Sequence, residues 1–112
     1  MFQITYDEFE KVDLRSGTII KAEVNQKARK PAYKIWVDFG ESIGIKQTSA
    51  QVTHHYTLEN LVGKSVLGCV NLGTRNIAGF VSEFLLVGFS DPDGHIILAT
   101  TDTLVPNGQK LH

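Results

Sequence analysis

The sequence predicts an all-β protein with short helices, and three observations support this prediction. Apolar and polar residues alternate with period two in several short segments, as in half-buried strands. Turn residues separate these segments, and a serine that could cap a helix follows the third of them. Three strands, a helical insertion and two more strands match a five-stranded Greek-key barrel of the OB type, with N- and C-terminal extensions.

Length and composition limit the class of protein. The chain has 112 residues, of which 42% are hydrophobic and 21% are charged, as in an ordinary globular domain. We expect one domain over residues 1–112, with an N-terminal extension over about 1–12, a barrel over about 13–89 and a C-terminal extension over about 90–112. The net charge of −1 excludes a generally basic nucleic-acid binder but permits a local basic patch.

The sequence gives no sign of catalysis or of a cofactor. It contains no nucleophile elbow and no phosphate-cradling glycine loop. The single cysteine, Cys69, allows no internal disulfide, and none of the four histidines has metal-ligand spacing. Neither a signal peptide nor a membrane span is visible. We therefore expect a cytoplasmic protein that is not an enzyme, without a metal, a cofactor or membrane insertion.

The first elements are a capped helix and a strand. Thr5 and Glu8 have the spacing of a capping box, and the helix should end near Lys11. The strand covers residues 17–24. Its alternation places Lys21 on one face and the following four side chains on the other: Thr18, Ile20, Ala22 and Val24.

The second and third strands alternate as well. Over residues 32–39, the inward side chains are Tyr33, Ile35, Val37 and Phe39, and the outward ones are Lys34, Trp36 and Asp38. The third strand, over residues 43–48, carries Lys46 outward. Ser49 then caps a predicted helix through about Tyr56, and residues 58–62 form a turn.

Residues 65–72 and 81–89 are the predicted fourth and fifth strands, and residues 95–99 form a further apolar strand. The fifth strand is apolar on both faces over residues 84–87. A strand in a small barrel normally has one wetted face, so the helix, the C-terminal strand or another subunit must cover the second. We expect a homodimer.

The outward positions of the first three strands form a candidate binding face. Three lysines lie there around Trp36, and the loop over residues 25–31 adds further cations. OB barrels bind oligonucleotides on the face of strands two and three, where lysines neutralise phosphates and an aromatic ring stacks on a base. A solvated face with Trp36 at a subunit contact explains the pattern equally well, so both interpretations stay open.

Residues 71–83 interrupt the apolar pattern between the fourth and fifth strands. Polar side chains and glycines occur there around a lone cation, Arg75. Loops that keep such groups between strands often carry recognition chemistry, although a plain connection with a solvated arginine has the same composition.

Several segments together resemble a known family. They are residues 13–19 with Ala22-Glu23, residues 32–36 and 38–40, Lys46-Gln47, Tyr56 with residues 59–64, and Asn71-Leu72, Arg75, Gly79, Ser82 and Glu83. The family is the tRNA-binding OB domain found at the C-terminus of many bacterial methionyl-tRNA synthetases and in free-standing tRNA-binding proteins. Residues 44–51 and 77–83 are most similar to its CsaA-type chaperone branch, which is related to secretion.

The resemblance implies a homodimer built partly by the chain termini, binding of tRNA, and binding of unfolded or export-bound polypeptides. The RNA-binding candidates that it implies are Lys34, Lys46, Gln47, Asn71, Arg75 and Ser82. The sequence departs from the family in the loop, where Thr74-Arg75-Asn76 replaces Pro-Arg-Lys or Pro-Arg-Arg. One proline and one cation are missing, which weakens the electrostatic case for tight RNA binding.

Two functional hypotheses follow from the sequence. In the first, a chaperone binds unfolded polypeptides through exposed aromatic residues, for which the candidates are Trp36, Phe80 and Phe89, and keeps the tRNA binding of its family. In the second, the protein is primarily a free-standing tRNA-binding protein that assists tRNA handling. The weak net charge and the missing loop cation favour the chaperone.

Overall fold

The computed structural model describes residues 1–112 and confirms the predicted fold class. The chain is mostly β-structure with two short helices. The elements are α1 (Tyr6–Glu10), β1 (Leu14–Val24), β2 (Tyr33–Asp38), β3 (Ile45–Ala50), α2 (Leu58–Leu61), β4 (Ser65–Cys69), β5 (Arg75–Ile77), β6 (Phe80–Ser82), β7 (Leu85–Leu86), β8 (Gly88–Ser90) and β9 (Ile96–Leu98). The capping box of α1 is present, because Thr5 Oγ1 accepts from the Glu8 amide and the Glu8 carboxylate accepts from the Thr5 amide.

Five antiparallel strands form a nearly closed barrel in the order β3-β2-β1-β4-β7. The strands β3 and β7 end this sheet, and no ladder of backbone hydrogen bonds joins them. The core inside the barrel is apolar, and its largest fully buried side chains are Phe39, Ile19, Ile35, Leu61, Val37 and Val66. Phe39 meets Phe84 edge to face, with ring centroids 5.0 Å apart.

A β-bulge in β1 changes which side chains face the core. Ile19 pairs with Val37 and Lys21 pairs with Trp36, so Ile20 is the extra residue between them. The predicted placement of Ile20 with Ala22 on one face is therefore wrong. Ile20 is 44% exposed, whereas Ile19 is buried. Strict alternation fails here because the bulge shifts the phase by one residue.

The predicted helix after Ser49 is also wrong. Ser49 lies within β3, where its backbone N–H donates to Ser82 Oγ over 2.9 Å. The helix begins later, at α2, in the segment predicted as a turn. Thr57 caps it, since Thr57 Oγ1 accepts from the Asn60 amide and Asn60 Oδ1 accepts from the Thr57 amide. A partner distant in sequence thus keeps Ser49 in an extended strand.

The predicted fourth strand is three residues shorter than expected, and the predicted fifth strand is divided into β6, β7 and β8. Only β7 joins the barrel, whereas β8 pairs with β9, the additional strand predicted near the C-terminus. The close approach in this hairpin needs a glycine, because a Cβ on Gly88 would collide with the carbonyl oxygen of Ile97. The hairpin covers one end of the core with the buried side chain of Leu98.

The C-terminal segment lies against the first half of β1, in the part of that strand that is not paired with β2. The Ser16 amide donates to the Gln109 carbonyl, and the Gly108 amide donates to the Ser16 carbonyl over 2.8 Å. Arg15 supports this contact, because its guanidinium donates both to Asp13 and to the Gly108 carbonyl. No helix is long and apolar enough to cross a membrane.

Candidate nucleic-acid interface

The outer face of β1, β2 and β3 carries two rows of side chains that run across the strands. The pairing register places Lys21, Trp36 and Gln47 in one row and Glu23, Lys34 and Ser49 in the next. Directly opposite residues share a face of the sheet, so these side chains are neighbours. The predicted outward positions of Lys34 and Trp36 are confirmed.

Two rings and two lysines form a cluster on this face, which we call the aromatic platform: Lys21, Lys34, Trp36 and Phe80. The Trp36 and Phe80 rings meet edge to face with centroids 5.8 Å apart. Lys21 Nζ lies 4.6 Å from the Trp36 ring centroid, and Lys34 Nζ lies 5.1 Å from that of Phe80. Each ring thus holds an ammonium group beside a half-buried π-face, which combines a cation with a stacking surface.

Phe80 reaches the platform from a hairpin that the sequence did not predict. Within residues 71–83, β5 pairs with β6, with Arg75 opposite Ser82 and Ile77 opposite Phe80. Ala78 and Gly79 form the turn with φ values of 54° and 79°, the left-handed pair typical of a tight hairpin. The Gly79 amide donates to Asn76 Oδ1 over 3.0 Å. The polar interruption in the sequence is therefore an ordered hairpin.

The hairpin is fixed to β3 through two of the RNA-binding candidates. The Gln47 side chain donates to the Val81 carbonyl over 2.9 Å, and Ser82 Oγ accepts from the Ser49 amide. Ser82 is only 7% exposed. In addition, Gln47 and Glu83 exchange two hydrogen bonds, of 2.8 and 3.1 Å. Both candidates thus position the hairpin, and their direct contact with RNA stays a prediction.

Two further candidates lie away from the platform. Lys46 is opposite Val37 and shares its face, so the predicted outward position of Lys46 is wrong. The buried Thr48 sets this register, because its hydroxyl donates to the Phe84 carbonyl inside the barrel. Asn71 binds the segment after α1, since its side chain donates to the Lys11 carbonyl and accepts from an amide nearby.

Cations surround the platform although the chain as a whole is slightly acidic. Arg75 is exposed on the hairpin and makes no ion pair. The basic loop after β1 meets the tip of the hairpin around a cavity of about 460 Å³, which is lined in part by Lys27, Arg29 and Lys30. A second cavity, of about 330 Å³, lies between this loop, Lys34 and Phe80. These positions give the face a local positive field.

Phe89 lies apart from the platform. It is 72% exposed in β8, opposite Ile97, in a different sheet from Trp36. The three predicted peptide-binding aromatics therefore belong to two surfaces.

A cluster of histidines was missed by sequence reasoning, because His54 and His55 were assigned to a helix. They lie in a turn, where His54 stacks on His95 with ring centroids 3.7 Å apart. His55 Nε2 lies 2.7 Å from the Asp91 carboxylate, and this hydrogen bond is the main cause that lowers the pKa of Asp91 to about 2. No group of three or more potential ligands could hold a metal ion.

Comparison with known proteins identifies the chain. The barrel is of the OB type, a fold in which the outer face of strands two and three binds oligonucleotides in other proteins. The family model described as "Putative tRNA binding domain" matches residues 14–110. The chain belongs to this tRNA-binding domain family. Its similarity to solved CsaA structures makes it a CsaA-type member of the family.

Solved structures of similar proteins align over the whole chain. The chaperone CsaA from Bacillus anthracis str. Ames has 37% identity and a TM-score of 0.92, covering 99% of this chain and 100% of that one. The CsaA chaperone protein from Picrophilus torridus has 40% identity and a TM-score of 0.90, with coverage of 98% and 100%. A MetRS related protein from Pyrococcus horikoshii has 28% identity, full coverage of both chains and a TM-score of 0.87.

Curated relatives include much longer enzymes. The methionine–tRNA ligase of Chlorobium chlorochromatii is 37% identical over 108 residues, which are 96% of this chain and 15% of the ligase. That of Methanocaldococcus jannaschii is 33% identical over 111 residues, covering 99% of this chain and 17% of the ligase. The chain thus spans less than a fifth of the length of these relatives.

The turn of the hairpin allows a test of its geometry. Ala78→Asn should stabilise the hairpin by about 1 kcal/mol, because asparagine adopts the left-handed conformation more readily than alanine. Slower amide hydrogen exchange across β5 and β6 would show this. Gly79→Ala, at φ 79°, is the matched control and should accelerate exchange. Faster exchange in Ala78→Asn would contradict the turn geometry.

Proposed function

We propose that this protein binds tRNA in the cytoplasm through the outer face of β1, β2 and β3, by recognition and without catalysis. The observation that carries the proposal is the aromatic platform, which lies between the basic loop and the hairpin bearing Arg75. Membership of the tRNA-binding domain family supports the same ligand. The face offers the two kinds of contact that unpaired nucleotides require, which are charge for phosphates and rings for bases.

Different side chains of this face suit different parts of an RNA. Arg75 and the lysines of the basic loop are suited to phosphates, where they add affinity but read no sequence. Trp36 is suited to stacking, because its ring is half-buried and is held in place by Phe80. Lys21 also lies 3.3 Å from the Glu23 carboxylate, and this exposed pair can open at little cost when a phosphate approaches. We expect binding that depends on RNA shape more than on sequence.

Titration of tRNA at several salt concentrations tests this proposal. Trp36→Leu should weaken binding by about 1–3 kcal/mol, because it keeps apolar volume but removes the stacking face. Arg75→Gln should weaken binding. It should also reduce the magnitude of the slope of log K against log salt by about 1, the value expected for the loss of one phosphate contact. Lys64→Gln is the control, because the Lys64 ammonium lies over the Tyr56 ring and away from the platform. This substitution should change the tRNA affinity little. Binding that depends neither on salt nor on the substitutions of Trp36 and Arg75 would contradict the proposal.

We also propose that the functional unit is a homodimer built from the chain termini. No residue of α1 is buried, and exposed apolar side chains occur at both ends of the chain. They include Met1, Phe2, Ile4, Tyr6, Leu104 and Leu111. The two ends lie together, because the Lys110 ammonium donates to the Glu10 carbonyl over 2.8 Å. An exposed apolar patch of this kind favours a second subunit.

The mass in solution tests the dimer. We expect twice the protomer mass of 12.4 kDa at micromolar concentration. Phe2→Ser combined with Leu104→Ser should shift the mass toward one protomer, since both side chains are almost fully exposed and add little to the fold. Ile45→Ser removes an apolar side chain that is 57% exposed on β3 and is the control. A wild-type protein with the mass of one protomer excludes the dimer.

The second candidate function is that of a chaperone for unfolded or export-bound polypeptides. Two structures named as CsaA chaperones match the chain from end to end, which supports this role. The exposed pair of Phe89 and Ile97 offers a non-directional surface for apolar segments of varied sequence. The two functions use different surfaces, so one protein can carry both.

Suppression of aggregation tests the chaperone. One dimer per molecule of a chemically unfolded client should slow the increase of light scattering. Phe89→Ser should reduce this suppression because it removes exposed apolar area, whereas its tRNA affinity should match that of the wild type. A wild-type protein that has no effect at this ratio would count against the chaperone function.

A further inference from the structure

A groove follows the seam of the barrel between β3 and β7. Two cavities of about 380 and 430 Å³ share Thr48, Ser49 and Leu85 in their walls, so they form one continuous groove. Its long sides are the two strands that end the barrel sheet. The edge of a sheet carries backbone groups without a partner strand, and extended peptides can pair with such an edge.

The side chains of the groove are mainly apolar. Leu72, Ile77 and Leu85 line one end, and Val52 and Ile96 line the other. Leu85 is half exposed in β7, at the point that both cavities share. The groove can therefore bury apolar side chains that project alternately from an extended chain.

The groove contains a single ionisable side chain. Among all residues that line the two cavities, only Arg75 carries a charge, and it makes no ion pair. One cation at one end matches an apolar ligand with one carboxylate. It does not match a polyanion, which needs a row of cations and exposed rings. The cations of the basic loop line the adjoining cavity, which shares Ser49, Gln51 and Ile77 with the groove. Within the groove itself, mainly apolar walls with one cation favour a polypeptide over RNA.

The edge of β3 offers a backbone position for pairing. The Ser49 amide points to the seam, where it donates to Ser82 Oγ. Gln51 directly follows β3 and lines both the groove and the cavity at the basic loop, and backbone groups two residues apart in an extended chain point to the same side. Its N–H and C=O take no part in the backbone hydrogen bonds outside the regular elements. Both groups are available to a ligand.

We propose that the seam groove binds an extended apolar polypeptide segment with an acidic residue at one end. The segment pairs with the backbone of Gln51, places apolar side chains against Leu85 and directs its carboxylate to Arg75. This proposal rests on the proposed chaperone function and gives that function a second docking place, apart from Phe89. It assigns the groove to polypeptide and leaves the aromatic platform to tRNA.

A backbone substitution gives the sharpest test. The probe is a short fluorescent peptide of alternating valine and serine, blocked at both termini, with one glutamate near one end. Gln51→Pro removes the free N–H without breaking a hydrogen bond of the protein, and it should weaken binding about two- to tenfold. Gln51→Ala keeps the N–H and is the matched control, expected to bind as the wild type does. Leu85→Ser should weaken binding about tenfold through lost apolar contact.

A change in the peptide tests the charge. Replacing its glutamate by glutamine should weaken binding to the wild type about two- to fivefold at low salt. The same replacement should make no difference to Arg75→Ala, whereas Arg75→Lys should keep part of the preference. Equal affinity of the wild type for the two peptides would overturn the assignment of Arg75.

The outcomes separate this proposal from the function on which it rests. Titration with tRNA should give the wild-type affinity for Leu85→Ser, which shows that this variant is folded. Gln51 also lines the cavity at the basic loop, so Gln51→Pro is compared in this titration with Gln51→Ala, and equal affinities would show that the proline variant is folded. If the wild type suppresses aggregation but Gln51→Pro and Leu85→Ser bind the peptide as tightly as it does, the groove proposal is wrong and the chaperone function stands. If the wild type neither suppresses aggregation nor binds the peptide, the chaperone function itself fails. A single-stranded oligonucleotide that depends on Leu85 for binding would assign the groove to nucleic acid and overturn the proposal.

Discussion

The barrel is closed mainly by polar side chains, and the arrangement of both proposed binding surfaces depends on this closure. The terminal strands of the sheet share no ladder, so hydrogen bonds from β3 to residues 82–84 take its place. The Thr48 hydroxyl donates to the Phe84 carbonyl in the interior. Each such bond contributes about 1 kcal/mol, and the loss of one partner costs more because the other is left buried and unpaired. Closure by side chains therefore has little tolerance for substitution.

This closure also positions the hairpin. Because Gln47 and Ser82 hold its base, β6 lies along β3 and Phe80 meets Trp36. The groove runs beside these side-chain bridges and continues past Ser49 to Val52 and Ile96. The same few hydrogen bonds thus separate an outer face rich in cations and rings from a groove that is mainly apolar. A regular ladder from β3 to β7 would have left no groove.

Local sequence patterns predicted the elements that depend on local interactions. The capping box of Thr5 and Glu8 and the outward positions of Lys34 and Trp36 follow from neighbours in the chain, and they were predicted correctly. The bulge at Ile20 could not be predicted, because alternation does not show where a residue is inserted into a ladder. The strand position of Ser49 depends on Ser82, which lies 33 residues away in sequence.

For the candidate site, too, local sequence patterns predicted only part of the structure. Its residue types were predictable, but the face and the bonding of each side chain were not. Lys46 shares a face with Val37 because the buried hydroxyl of Thr48 decides the register, whereas the strand pattern predicted that Lys46 points outward. The sequence did not predict the hairpin, because Ala78 adopts the left-handed conformation at a turn position where asparagine or glycine is usual. Phe89 was grouped with Trp36 by chemistry alone.

Arg75 couples the two surfaces. It lies on the hairpin beside the platform, and it is also the one charge in the groove. A phosphate and a peptide carboxylate would each neutralise it, so each ligand would reduce the affinity of the protein for the other. The coupling free energy cannot exceed the worth of that one exposed contact, about 1 kcal/mol, and by linkage it is the same in both directions.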